Sequence, residues 1–203
     1  VVGAVRTGKS TFIRRFMENM VIPNIEDEFE KKRAIDELPQ AASGKMIMTT
    51  EPKFVPANAA KITIDEFSAN IKMIDCVGYV INENGPRYVM TPWYSEPIPF
   101  VEAAEIGTEK VIKDHSTIGI VVTSDGSFGE FKRNDYVEAE ETVINELKEI
   151  GKPYIVLLNT TNPSGEEAIK ITNNLSVKYS VPVLPINVEM MQERDMYNIL
   201  KEA

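Results

Sequence analysis

Residues Gly3 to Ser10 read Gly-Ala-Val-Arg-Thr-Gly-Lys-Ser, the GxxxxGK[ST] spacing in full. Each fixed position has a task in holding a chain of phosphates. Gly3 and Gly8 let the backbone curl so that the N–H groups of Ala4, Val5, Arg6 and Thr7 turn inward at phosphate oxygens. Lys9 is spaced to reach the β- and γ-phosphates, and the Ser10 hydroxyl, followed by Thr11, to ligate Mg²⁺. A helix opening at Ser10 would aim its positive end at the same anion. The bland alternative, a glycine-rich turn without a ligand, is weakened by the strand and helix signals on either side.

A phosphate-binding loop needs a second acidic group to hold magnesium, placed at the end of a neighbouring strand. Asp75 fits, because the apolar run Ile71 to Ile74 would deliver it at a strand's carboxyl end. Gly78 completes Asp-x-x-Gly, and its amide is placed to meet the γ-phosphate. Between the two motifs lies Met48-Thr49-Thr50-Glu51-Pro52. In Ras-like nucleotide switches a threonine at this point coordinates Mg²⁺ and senses the γ-phosphate; Thr49 and Thr50 both qualify, and the choice stays open. The alternative is a pair of β-favouring threonines opening a strand.

Two departures from the Ras-like pattern narrow the chemistry. That class carries Asn-Lys-x-Asp after its fifth strand, with the Asp reading the guanine edge. Here the run is Asn159-Thr160-Thr161-Asn162, so Asn159 survives while the carboxylate is replaced by an amide. An amide cannot reproduce the paired acceptors of a carboxylate, so guanine selectivity is weakened and adenine becomes the expected base. Tyr79 also stands after Gly78, where many such enzymes carry a water-orienting glutamine. Hydrolysis is then expected to be slow, with Thr49 or Thr50 the nearest alternative positioners.

These residues need elements to place them. Ser10 to Met20 puts Phe12, Ile13, Phe16 and Met20 on one helical face. Glu26 to Leu38 is charged and is expected to be an exposed, mobile helical excursion. Lys61 to Phe67 and Asn70 to Val77 read as two strands, with Ser68-Ala69-Asn70 as the hairpin turn between them. Tyr79 to Phe100 is irregular and rich in proline, a packed loop or a partner surface. Helices at Glu102 to His115, Asp135 to Ile150 and Glu166 to Tyr179 then alternate with strands at Ile118 to Thr123, Tyr154 to Asn159 and Val181 to Asn187, before a final helix. Gly151 is the expected C-cap of the helix before it. Such alternation predicts an α/β domain whose mixed, mostly parallel sheet carries helices on both faces.

The chain has 203 residues, enough for one domain with a good core, and a net charge of −9, which argues against nucleic acid as a partner. Hydrophobic content of 43% suits a globular protein, and no apolar run approaches membrane-spanning length. The lone Cys76 cannot form an internal disulfide and fits a reducing cytosol. The start on Val1-Val2, without an initiator Met, is expected of a fragment of a longer protein.

The whole chain resembles the spore-coat morphogenetic ATPases of endospore-forming bacteria. The resemblance rests on Val2 to Thr11, Asp36-Glu37-Leu38-Pro39-Gln40, Met48 to Phe54, Ile74 to Tyr79, Glu83-Asn84-Gly85-Pro86-Arg87, Thr91-Pro92-Trp93-Tyr94 and Glu105-Ile106-Gly107-Thr108. It implies a P-loop NTPase of Ras-like (TRAFAC-type) descent that turns over ATP with Mg²⁺ to drive self-assembly. It further implies Lys9, Thr49, Thr50 and Asp75 as catalytic residues, and Ser10, Thr50 and Asp75 as metal ligands. Residues Gly3 to Thr11, Gly78 and Asn159 would bind nucleotide. The family coats the mother-cell face of the outer forespore membrane from the cytoplasm, recruited by a small amphipathic membrane-anchored peptide and joined by other coat proteins. Its membrane contact in this domain would be indirect, and polymerisation would use regions outside residues 1–203. Alternatives are a GTPase-type switch binding an effector through Tyr88 to Phe100, or a nucleotide-bound scaffold with vestigial hydrolysis.

Overall fold

The computed structural model describes residues 1–39, 52–64, 67–79, 81, 88–89 and 94–203. Its elements, in chain order, are α1 (Lys9–Phe16), α2 (Glu28–Asp36), β1 (Lys53–Ile64), β2 (Phe67–Asp75), β3 (Tyr88–Val89), β4 (Ile98–Pro99) and α3 (Phe100–His115). They continue with β5 (Gly119–Ser124), α4 (Arg133–Ile150), β6 (Tyr154–Asn159), α5 (Glu166–Tyr179), β7 (Val183–Ile186) and α6 (Glu193–Glu202). A wider π turn at Met17–Val21 and a 3-10 turn at Ile22–Asn24 extend α1.

Residues 1–5 form the centre of the sheet. On one side Val2 N–H donates to the Ile120 carbonyl at 2.9 Å, and Val122 N–H to Val2 at 2.8 Å. On the other, Tyr79 N–H donates to Gly3 at 3.1 Å and Val5 N–H to Tyr79 at 2.8 Å. Both contacts are parallel. They join the antiparallel β1–β2 ribbon to the parallel β5–β6–β7 sheet, so that β1 and β7 lie at opposite ends. The mixed, mostly parallel sheet expected from the alternation is the one observed.

Successive strand residues face opposite ways, and two cores result. Val122, Ile155, Leu157 and Ile186 pack on one face with Phe12, Ile13 and Phe16 of α1 and with Met196 and Ile199 of α6. Val121, Val156, Leu158 and Val183 pack on the other with α3, α4 and α5, through Ile112, Val143, Ile144, Leu147 and Leu175. Strands buried on both faces explain why β6 reads as an unbroken apolar run rather than an alternating one. Each buried aliphatic or aromatic side chain contributes about 2 kcal/mol of burial.

One expected boundary is corrected. The two strands do pair antiparallel, but Ser68, Ala69 and Asn70 lie inside β2, opposite Thr63, Ile62 and Lys61, and Phe67 pairs with Ile64. The small polar residues looked like a turn, yet cross-strand pairing places them on a ribbon. Within residues 26–38 the expected helix is α2, Glu28–Asp36, mostly exposed and begun by the Asp27 carboxylate accepting the Glu30 N–H at 2.8 Å. Gly151 caps α4 in the left-handed conformation, as expected. Among the described residues no helix is long and apolar enough to cross a membrane.

A charge network stiffens the second face. Glu140 of α4 is buried, and both its oxygens meet the Arg133 guanidinium, at 2.8 and 2.9 Å. The Tyr179 hydroxyl of α5 donates to the same carboxylate at 2.8 Å, and Arg133 also reaches Thr123 Oγ1 of β5 at 3.2 Å. Removing one partner of a buried charge pair strands the other charge. Arg133→Met should therefore lower the unfolding free energy in a urea melt by about 3 kcal/mol. Arg133→Met combined with Glu140→Leu should recover most of that loss, because no unpaired charge remains.

Candidate functional site

The loop after residues 1–5 opens at the carboxyl edge of the parallel strands, where open α/β sheets place their ligands. Its backbone is shaped by two glycines. Gly3 has φ +141°, and a Cβ there would stand 2.2 Å from the Val122 carbonyl oxygen of β5. Gly8, at φ +97°, precedes α1, and a Cβ there would stand 2.6 Å from Asn159 Nδ2. Arg6 between them also adopts positive φ, +60°, costly for a residue with a side chain. Its guanidinium is tied outward, 2.6 Å from the Glu130 carboxylate and 5.4 Å above the Phe131 ring.

Asn159, at the carboxyl end of β6, braces the loop from behind. Its Nδ2 donates to the Thr7 carbonyl at 2.9 Å, and its Oδ1 accepts the Val188 N–H at 3.1 Å. The side chain is buried, so both ends of the amide are satisfied inside the protein. The Thr7 hydroxyl donates to the Ala4 carbonyl at 2.9 Å and closes the loop upon itself.

Lys9 opens α1 and is buried, with Nζ donating to the Ala4 carbonyl at 2.7 Å. Burial lowers its pKa to about 8, against a partial pull upward from the Asp75 carboxylate. Asp75 ends β2, and the Ser10 hydroxyl donates to its Oδ2 at 2.7 Å. Gly78 packs over the lysine: a Cβ there would stand 2.8 Å from Lys9 Nζ and 2.9 Å from Val5 Cγ1. The structure thus brings Lys9, Ser10, Asp75, Gly78 and Asn159 together around one loop. Thr49 and Thr50 lie outside the described residues.

The donor set suits a small hard cation, since a hydroxyl and a carboxylate meet here and both offer oxygen. Among the described residues no group of three or more His, Cys, Asp or Glu is arranged to hold a metal ion by itself. A cation at Ser10 and Asp75 would take its remaining ligands from phosphate and water. Loop amides, the Lys9 ammonium and the N-terminus of α1 make the adjoining space favourable to anions.

Sequence reasoning identified these groups but missed how two of them are held. The role of Asn159 as a brace depends on Val188, a residue with no polar side chain to draw notice. Tyr79 does not approach the lysine; its ring is buried under α3 and α4, and its hydroxyl donates to Glu146 of α4. Asn162, which stands in sequence where the Ras-like class carries its base-reading Asp, donates its backbone N–H to Thr160 Oγ1 at 3.2 Å.

Fold and site together define a mixed α/β domain with a glycine-shaped loop, a buried lysine at its end and an acidic strand end beside it. The family model described as "Stage IV sporulation protein A, ATPase domain" matches residues 1–203, and the chain belongs to that family. It is 58% identical over 211 aligned residues to stage IV sporulation protein A of Bacillus anthracis, and 56% identical to that of Bacillus subtilis (strain 168). It is also 56% identical over 209 residues to that of Clostridioides difficile (strain 630). All of this chain, or 99% of it in the last case, aligns with 43% of each relative's length.

Lys9 has a measurable stability cost. A folded pKa of about 8 against 10.5 unfolded means the unfolded chain binds more protons between those values, so this group makes stability rise with pH across that window. The shift corresponds to about 3 kcal/mol against the charged form at neutral pH. Lys9→Met should raise the unfolding free energy at pH 7 by about 2 kcal/mol and remove the alkaline rise. Urea melts at pH 7 and pH 9 measure both effects. The Ala4 carbonyl keeps Thr7 as a donor in the variant.

Proposed function

We propose that residues 1–203 are the nucleotide-binding domain of a longer sporulation protein, a P-loop NTPase of Ras-like descent that binds and hydrolyses ATP. The observation that carries this reading is the meeting of Lys9, the Ser10–Asp75 pair and the Gly78 backbone on one side of the loop. The strand order, with residues 1–5 between β2 and β5, supports the assignment of descent.

In this reading the loop amides and Lys9 stabilise charge as water attacks the γ-phosphate in line. Ser10 and Asp75, with Thr50 from the segment outside the described residues, are the ligands for Mg²⁺, which when bound neutralises phosphate charge. Thr49 or Thr50 senses the γ-phosphate. Asn159 fixes the loop, and Gly78 gives the phosphates close access to a backbone amide. Tyr79, at the position where many such enzymes carry a water-orienting glutamine, turns into the core toward Glu146, which suits slow turnover. Asn162 offers an amide where guanine readers place a carboxylate, which favours adenine.

The wider role follows the family resemblance. ATP turnover drives self-assembly of a coat layer at the forespore surface in the mother-cell cytoplasm, through regions beyond this domain. A small amphipathic membrane-anchored peptide and other coat proteins are the partners.

Phosphate release from ATP and GTP tests the assignment. Wild type should prefer ATP, and Lys9→Ala and Asp75→Ala should each lower release by about a hundredfold. Asn162→Asp should shift the preference toward GTP by about tenfold. Equal or faster GTP turnover by the wild type refutes the adenine assignment.

A further inference from the structure

Tyr79 is held twice. Its backbone pairs with the phosphate loop on both sides, N–H to the Gly3 carbonyl and carbonyl to the Val5 N–H. Its side chain runs the other way, through the core beneath α3 and α4, to the Glu146 carboxylate. Gly78, one residue earlier, is the group that lies against Lys9. A rigid line therefore runs from a carboxylate on α4, through one aromatic ring, to the backbone beside the lysine.

The surroundings of Glu146 are unusual. Glu105 and Glu109 face it from α3, Glu149 from its own helix, and the Tyr79 phenol from the segment after β2; Cys76 of that segment lies near the phenol. Every carboxylate in this corner repels its charge, and burial does so more strongly, so its pKa is pushed up to about 7. The Tyr79 hydroxyl stays protonated, because burial and Glu146 both push its pKa far upward. A tyrosine donor meeting a carboxylate is a charge-assisted bond, whereas meeting the neutral acid it is an ordinary one.

We propose that Glu146 is a positioning residue for the phosphate site: by accepting the Tyr79 hydroxyl it fixes the Gly78–Tyr79 peptide against the loop beside Lys9. Ionised Glu146 holds this peptide more tightly than the neutral acid does. The α3–α4 corner is thereby coupled to the loop's own geometry. The inference rests on the reading of residues 3–10 as the phosphate site, and its test separates the two.

The first arm needs no nucleotide. In the ligand-free chain carrying Lys9→Met, which removes the neighbouring ammonium and its own titration near 8, the Gly78 amide resonance should shift with pH, with a midpoint near 7. It should be flat when Glu146→Gln or Tyr79→Phe is added to that background. The second arm is phosphate release from MgATP. Tyr79→Phe should lower kcat by about tenfold with KM changed by less than about threefold, the mark of misplacement rather than lost binding. Glu146→Gln keeps an oxygen to accept the hydroxyl, so it should stay within about threefold of wild type at neutral pH and lose the wild-type rise in kcat through pH 7. A Gly78 titration that persists when Glu146→Gln is added to the Lys9→Met background overturns the proposal, as does unchanged kcat in Tyr79→Phe. Absence of phosphate release from the wild type overturns the ATP reading instead, and the Gly78 titration still decides the coupling.

Discussion

The structure depends on residues 1–5 having hydrogen-bonding partners along both edges. Val2 exchanges bonds with Ile120 and Val122, while Gly3 and Val5 do so with Tyr79. Without this strand the β1–β2 ribbon and the β5–β6–β7 sheet would be separate pieces. The same short segment leads directly into the loop, so its end point is fixed by backbone pairing on two sides. Asp75 and Gly78 come from one neighbouring strand and its continuation, and the Ser124 end of β5 from the other. The meeting of Asp75 and Gly78 at Lys9 is therefore a consequence of sheet order, with no long flexible link among the described residues of the site.

The two faces of the sheet use different means to stay in place. The face carrying α1 and α6 is apolar throughout its cluster, with Phe12, Phe16, Met17 and Met20 filling the space. The face carrying α3, α4 and α5 has a similar apolar core but adds the Arg133–Glu140–Tyr179 network. Burial alone is tolerant of sliding, since apolar contacts have no direction. Hydrogen bonds to a charged group fix orientation, and here those of Arg133 and Tyr179 tie the start of α4 to the end of β5 and to α5.

Much of this was legible in the sequence because it is local. The loop spacing, the apolar faces of α1 and α4, the Gly151 cap and the β6 and α5 boundaries all follow from residues near one another in the chain. The hairpin turn was misplaced because Ser68, Ala69 and Asn70 carry turn chemistry while their structure is decided by partners on β1. The bracing of Thr7 by Asn159 joins residues 152 positions apart, that of Asn159 by Val188 residues 29 apart, and neither leaves a periodic trace. Tyr79 was noticed for what it replaces; its true contact, Glu146, looks in sequence like any acidic residue on an amphipathic helix. The threonines at 49 and 50 lie outside the described residues.

The inward-facing bonds of the loop bear on the thermodynamics of filling it. Thr7 and Lys9 both donate to the Ala4 carbonyl, and Asn159 holds Thr7. The cradle is thus shaped by its own scaffold, with the left-handed backbone of Arg6 and Gly8 already in place. An arriving anion need not order a disordered segment, so little of its interaction energy is lost to conformational entropy. Selectivity then rests on shape from the outset, as in a lock cut before its key.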